Sequence, residues 1–226
     1  MNPSPGVRPP AWQPGHSPLS EKMIEIDPKQ AGTSALYRLL IGAVVPRPIA
    51  WVSTKSTAGV TNLAPFSFFN GVSSNPPCLM ISVARKPDGT LKDTWINIRD
   101  TKEFVVNLAG DWMVNPLHQT SAPYPFGVNE MSVVGLHPVS SIKVKPDRVD
   151  ESAVQFECRL YKTIDIGEGG AGSATLIVGE ILWAHVNESV WDNGKIKIEK
   201  LCPLSRLGGR FYGRTSDFFE MPVANP

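Results

Sequence analysis

The sequence predicts a mainly β fold, a predominantly antiparallel barrel with a few short helices. Three observations carry this. About seven short strand-like runs are spread over the chain, bounded by Gly, Pro, Ser and Asn. The run Val154 to Ile166 alternates, with Val154, Phe156, Cys158 and Leu160 on one face and Gln155, Glu157, Arg159 and Tyr161 on the other. Strands rarely alternate with the helices of about 10–15 residues that a parallel sheet requires.

In chain order, Met23-Ile24-Glu25-Ile26 reads as a short strand and Ala35 to Leu40 as a short helix, with Ser34 as its N-cap. Pro46 and Pro48 forbid helix, so Ile49 to Thr54 is a strand. Ser56 to Gly59 is a turn and Thr61 to Ala64 the returning strand, which makes a hairpin. Phe66 to Ser73 is a strand or strand-bend, Ser74 to Pro77 a turn, and Cys78 to Ala84 a buried strand. Leu91 to Thr101 is a helix and Phe104 to Leu108 a strand. Residues 110–130 are irregular, with a short helix near Asn115 to Thr120. Ile142-Lys143-Val144 alternates, and Thr175 to Val186 is a long apolar strand.

Composition narrows the function. The 226 residues are 42% apolar and 19% charged, enough for a core and too uncharged for a disordered chain. Such a length suits one domain with a tail. Residues 1–20 carry six prolines and read as a flexible tail, or as an arm on a partner subunit; residues 21–226 form the domain. The net charge of +1 gives no reason to expect nucleic acid or an anionic membrane as partner, so a bound anion needs a local site. No membrane helix is expected, and the N-terminus lacks the signal-peptide pattern. The three cysteines, Cys78, Cys158 and Cys202, form no C-x-x-C pair and sit among apolar residues. They read as buried packing residues of a cytoplasmic protein, not as disulfides or zinc ligands.

One motif is rejected. Gly167-Glu168-Gly169-Gly170-Ala171-Gly172 matches G-x-G-x-x-G, but a strand-like run follows it where a dinucleotide fold opens a helix. It reads as a glycine-rich hairpin loop.

The informative stretch runs from Arg47 to Thr94. Pro65 should interrupt strand pairing and free backbone groups around residues 62–67 for a flat heteroaromatic ligand. Ser67, Ser82, Arg85, Lys92 and Thr94 supply hydroxyls and cations suited to a phosphate. Lys92-Asp93-Thr94 lies in the first turn of the expected helix, where free amides favour an anion. Taken singly, each residue is more simply a cap, a solvated cation or, for Trp51 and Phe66 to Phe69, core. Composition and spacing reach only a β-barrel suited to a phosphorylated aromatic.

Pro46-Arg47-Pro48-Ile49-Ala50, Asn62-Leu63-Ala64-Pro65-Phe66-Ser67-Phe68-Phe69, Ser73-Ser74-Asn75-Pro76-Pro77, Lys92-Asp93-Thr94 with Asn97-Ile98, and Glu103 to Asn107 closely resemble the flavin reductase-like family of FMN-binding split barrels. The resemblance covers roughly residues 23–190. It implies an antiparallel six-stranded split β-barrel, a homodimer, and bound FMN, with FAD as the alternative. It implies that Arg47, Pro48, Ile49, Ala50, Trp51, Val52 and Ser53 line the flavin. Asn62, Leu63, Ala64, Pro65, Phe66 and Ser67 would hold the ring and ribityl chain. Ser67, Ser82, Arg85, Lys92, Asp93 and Thr94 would surround the phosphate. Leu207 to Tyr212 resembles a tail segment laid beside the flavin, which adds Tyr212; His118 is a substrate-side candidate and Glu180 a tuning candidate. The implied activity is an NAD(P)H:flavin oxidoreductase, with NAD(P)H as transient reductant, of the kind that serves a two-component monooxygenase. The alternatives are a flavoredoxin-type carrier reduced by a protein electron donor and a non-enzymatic flavin-binding module. No acid/base dyad is needed, because the flavin carries the chemistry.

Overall fold

The computed structural model describes residues 22–223. The proline-rich stretch 1–20 lies outside the described residues. The chain divides into two units, 1–37 and 38–226.

In the first unit, α1 (Pro28–Ala31) is capped by Asp27, whose carboxylate accepts from the Lys29 amide at 2.9 Å. Pro28 opens the helix, where its missing N–H costs nothing. Helix α2 (Thr33–Ala43) runs across the boundary between the units. Ser34 therefore lies inside this helix and is not its N-cap. Met23 to Ile26 joins no ladder, and Met23 and Ile24 are exposed, so the expected strand is absent.

The second unit runs β1 (Arg47–Pro48), β2 (Ala50–Lys55), β3 (Thr61–Phe66), β4 (Phe69–Ser74), β5 (Pro77–Ala84), α3 (Asp93–Thr101) and β6 (Glu103–Leu108). Then come α4 (Val114–Gln119), α5 (Glu130–Val133), β7 (Pro138–Val139), β8 (Arg148–Val149), β9 (Val154–Ile166) and β10 (Ala174–Val186). Last are β11 (Trp191–Asp192), β12 (Lys195–Ile196), α6 (Ile198–Leu201), β13 (Leu204–Arg206) and β14 (Tyr212–Arg214).

The main sheet is antiparallel in the order β3-β2-β6-β9-β10-β5-β4, seven strands where the resemblance implies six. Its two edges, β3 and β4, are joined by only Ser67 and Phe68. So short a link between opposite edges requires the sheet to roll up. Ala50, Val52, Phe66, Leu79, Ile81, Val83, Phe104, Val106, Cys158 and Ile177 fill the interior of the roll, plugged by Ile98 of α3. A second cluster, including Trp51, Leu63, Leu117 and Met131, packs α4 and α5 on the outside of β2 and β3.

Local chemistry explains the elements and the departures. The β2–β3 turn closes with the Ser56 amide on the Val60 carbonyl at 2.8 Å, and Gly59 takes the left-handed φ of 84° that the turn needs. The 167–172 loop leaves β9 and enters β10 antiparallel to it, as a hairpin loop should. Ile142 to Val144 is irregular because the amides of Ile142 and Lys143 donate to the Glu157 carboxylate and not to a neighbouring strand. Cys78 and Cys158 are buried as expected, but Cys202, which ends α6 in a left-handed conformation, is partly exposed.

Gly179 sits where the β9–β10 register slips, and a Cβ there would lie 2.3 Å from Cζ of the buried Phe104. Gly179→Ala is therefore expected to cost about 1–3 kcal/mol by overpacking. A lowered denaturation midpoint at constant slope would show this; an unchanged midpoint would mean that the Phe104 ring has room to swing.

Candidate functional site

The rolled sheet closes at Ser67–Phe68, and the predicted residues gather around that closure. Strand β3 does not break at Pro65. Pro65 pairs in register with Trp51, and the ladder continues to Phe66. Leu63, two residues earlier, donates its amide away from the sheet, to Glu130 Oε2 at 2.8 Å. Pro65 has the same outward orientation on an edge strand, where a missing N–H breaks no ladder bond. The interruption comes two residues later.

Arg47 anchors the closure. Only 5% of it is exposed. Its guanidinium donates to the carbonyls of Ile41 at 2.7 Å, Val44 at 2.6 Å and Leu207 at 3.2 Å, and its Nε to Ser67 Oγ at 3.3 Å. One side chain thus ties the end of α2, the bend and the tail together. Its charge serves this junction, so Arg47 positions the bend rather than lining a ligand with a free guanidinium.

Ala50, Trp51, Val52, Ser53 and Leu63 have no exposed surface, and Ile49 is buried. These residues support the site from behind and do not line it. The Trp51 indole donates to Thr120 Oγ1 at 2.9 Å, and the Ser53 hydroxyl donates to the Asp147 carbonyl at 2.6 Å. Thr94 is also enclosed. Asn62 Nδ2 donates to Thr94 Oγ1 at 3.1 Å and to Thr54 Oγ1 at 3.2 Å, while Asn97 Nδ2 donates to the same Thr54 oxygen at 3.0 Å. This buried knot fixes the first turn of α3 against β2 and β3. It sets the height of Lys92, the residue that caps α3.

Pro48 is exposed, and Ala64, Pro65 and Ser67 are half-buried around the bend. Phe66 is buried, and Lys92 Nζ lies 5.5 Å from its ring centre. Burial, and next the charge of Lys86, push the Lys92 ammonium below its usual range. Asp93 does not neutralise it, because Asp93 pairs with Lys86 at 2.9 Å. On β5 the interior positions are Leu79, Ile81 and Val83, so Ser82 faces the other way; its amide donates to the Phe68 carbonyl at 2.8 Å. Arg85 follows at the end of β5. Its Nε is buried and has no hydrogen-bond partner. A buried guanidinium N–H without an acceptor is costly. Arg85 and Lys92 thus stand at the two ends of the 85–92 segment as half-buried cations with no acidic partner among the described residues, and with Ser82 they supply the donor types a phosphate needs.

Tyr212 and His118 meet at the tail, with Tyr212 Oη 3.2 Å from His118 Nδ1 and the rings edge-to-face. Glu180 accepts from Arg159 at 3.0 Å, its cross-strand neighbour, so it is a sheet ion pair. Two buried carboxyls escaped the sequence reading. Glu130 caps the outer edge of β3, and burial raises its pKa against the pull of the Leu63 amide. Glu157, fully buried, accepts from the Ile142 and Lys143 amides and from His185 Nε2. The only sequence signal for Glu157 was its place in the β9 alternation beside Gln155.

Residues 41–204 match the flavin reductase like domain. An uncharacterized protein of Aquifex aeolicus is 45% identical over 185 residues, 81% of this chain and 92% of that protein. The crystal structure of nitrilotriacetate monooxygenase component B from Bacillus cereus is 34% identical and superposes with a TM-score of 0.85, covering 89% of this chain and all of that one. A Shewanella frigidimarina structure with a split barrel domain, 20% identical with a TM-score of 0.73 over 87% of this chain and 96% of that one, has the same fold. With a rolled antiparallel sheet and a domain match over most of its length, the chain belongs to the flavin reductase-like family.

Proposed function

We propose that the chain binds FMN at the β3–β4 closure and acts as an NAD(P)H-dependent flavin reductase, as a homodimer in the cytoplasm. The observation that carries this reading is a pair of cations on the segment after β5 with no acidic partner among the described residues: Arg85, whose buried Nε lacks an acceptor, and Lys92, whose ammonium is desolvated. FMN, when bound, supplies the hydride and electron transfer. Arg85, Lys92 and the Ser82 hydroxyl hold its phosphate. Ala64, Pro65 and Ser67 place backbone groups along the ring and ribityl chain, and Pro48 and the Tyr212 hydroxyl border them. Arg47 and the Asn62–Thr94 knot hold these groups in place. Asp93 neutralises Lys86 and leaves Lys92 free for the anion.

The dimer reading rests on the outer sheet face. Met80, Val178, Leu176, Ile164 and Ile166 project together from β5, β10 and β9, with Ile164 43% and Ile166 58% exposed. An apolar stretch of this kind suits a second copy. The three free cysteines suit a reducing compartment.

Purified protein should show the absorption of oxidised flavin and bleach with a nicotinamide nucleotide under anaerobic conditions. Retained flavin that no nucleotide bleaches would favour a carrier reduced by a protein donor. Protein that stays colourless after soaking in FMN would sink the proposal.

A further inference from the structure

Besides Arg85 and Lys92, a second cationic group stands at the small sheet β1-β13-β14, which meets the bend through Arg47, donor to Ser67 Oγ and to the Leu207 carbonyl. Its register sets Arg47 opposite Arg206 and Arg206 opposite Tyr212. Directly opposed residues of antiparallel strands project to the same side, so these three form one row. Arg47 fixes its inner end to Ser67, and the Tyr212 hydroxyl fixes its outer end to His118.

Like charges directly opposed in a sheet repel. Arg47 is met by main-chain carbonyls. Arg206 donates to the Phe211 carbonyl and lies 4.6 Å from the centre of the Tyr212 ring, but forms no ion pair among the described residues. Arg210, exposed at the turn, has no partner among them either, and Phe211 beside it is 73% exposed. Arg214 is neutralised by Asp111 at 3.2 Å. No Asp or Glu occurs from Cys202 to Ser216. The hairpin thus offers guanidiniums, which match phosphate bidentately, next to aromatic rings that can stack on a base.

We propose that the β13–β14 hairpin holds the phosphate-bearing end of the nicotinamide nucleotide and selects NADPH over NADH. This rests on the reductase reading above. On that reading Arg85 and Lys92 serve the flavin phosphate, which leaves the hairpin arginines for a second phosphorylated ligand. A 2′-phosphate adds a dianion that arginine forks match, and this segment supplies arginines and no carboxylate.

The test is anaerobic bleaching of the flavin-loaded protein by NADPH and by NADH, with flavin affinity followed by fluorescence in the same preparations. The wild-type KM should be at least about tenfold lower for NADPH, the worth of one charge-assisted contact. Arg210→Gln, which removes no contact within the protein, should raise the NADPH KM about tenfold and leave the NADH KM and flavin affinity within about twofold. Arg206→Gln should raise both KM values, through the shared pyrophosphate. Equal KM values in wild type, or an NADPH KM unmoved in both variants, overturns the inference while leaving the reductase reading intact. Bound flavin that neither nucleotide bleaches overturns both.

Discussion

Replacing Arg85 and Lys92 together by Gln is expected to lower FMN affinity by roughly 10²–10⁴-fold, since a hydrogen bond to a charged group contributes about 1.5–3 kcal/mol. The fold should survive the change. Neither cation has an acidic partner among the described residues, and Arg85 Nε is an unpaired buried donor whose removal relieves a cost. Thermal stability without flavin should therefore hold or rise while affinity collapses. Fluorescence titration with FMN and with riboflavin separates phosphate from ring. The double variant should bind riboflavin as wild type does, and an equal loss for both ligands would place the phosphate elsewhere. Thr94→Val makes a contrast, because its hydroxyl belongs to the buried knot and its loss should lower stability first.

The largest effect on stability is expected at Glu157. Glu157→Ala removes the acceptor of two backbone amides and the hydrogen-bond partner of His185, and leaves Arg148, whose buried Nε already lacks a hydrogen bond, without its nearby carboxylate at 3.9 Å. Breaking a buried pair by deleting one partner costs about 3–5 kcal/mol, much of a domain's net stability. Burial alone would raise this carboxyl; the Ile142 amide, His185 and the Lys143 amide outweigh it and hold the pKa below the ordinary glutamate range. The sign follows. A depressed folded-state pKa contributes stability that is complete above the ordinary value and is lost as pH falls below it and through the lowered folded-state pKa. Wild type should lose this contribution on acidification, and the variant should show a flatter acid limb. Glu130 acts in the opposite sense, because burial raises its pKa and its ionisation opposes folding as pH climbs past the ordinary value. Equal denaturant midpoints for wild type and Glu157→Ala at neutral pH would refute the assignment.

Much of the barrel was legible because period-two alternation and turn residues act locally. The 13-residue strands β9 and β10, the β2–β3 hairpin and the helix after Lys92 fall where the sequence puts them, within about two residues. What was not legible depends on long-range partners. Pro65 looked like a break because an edge strand is known only once the sheet order is known. Trp51 and Thr94 looked like ligand walls because their partners, Thr120 and Asn62, lie 69 and 32 residues away. Arg47 looked like a ligand for the same reason, since Leu207 joins it across 160 residues. Ile142 to Val144 alternates like a strand, yet a carboxylate from β9 competes successfully for its amides. Ser82, Arg85 and Lys92 could be grouped from the sequence alone, since residues within a dozen positions of one strand cannot lie far apart.

The two-residue link between β3 and β4 has an energetic consequence. Opposite borders of the sheet meet there, and the cofactor would rest on the junction. Occupancy and barrel integrity are then thermodynamically linked: a ligand that grips both borders stabilises the closed form in proportion to the logarithm of its concentration over its dissociation constant. Empty protein would loosen first along this joint, and hydrogen exchange at Ser67 to Asn70 would register the cofactor's arrival before any other part of the barrel did.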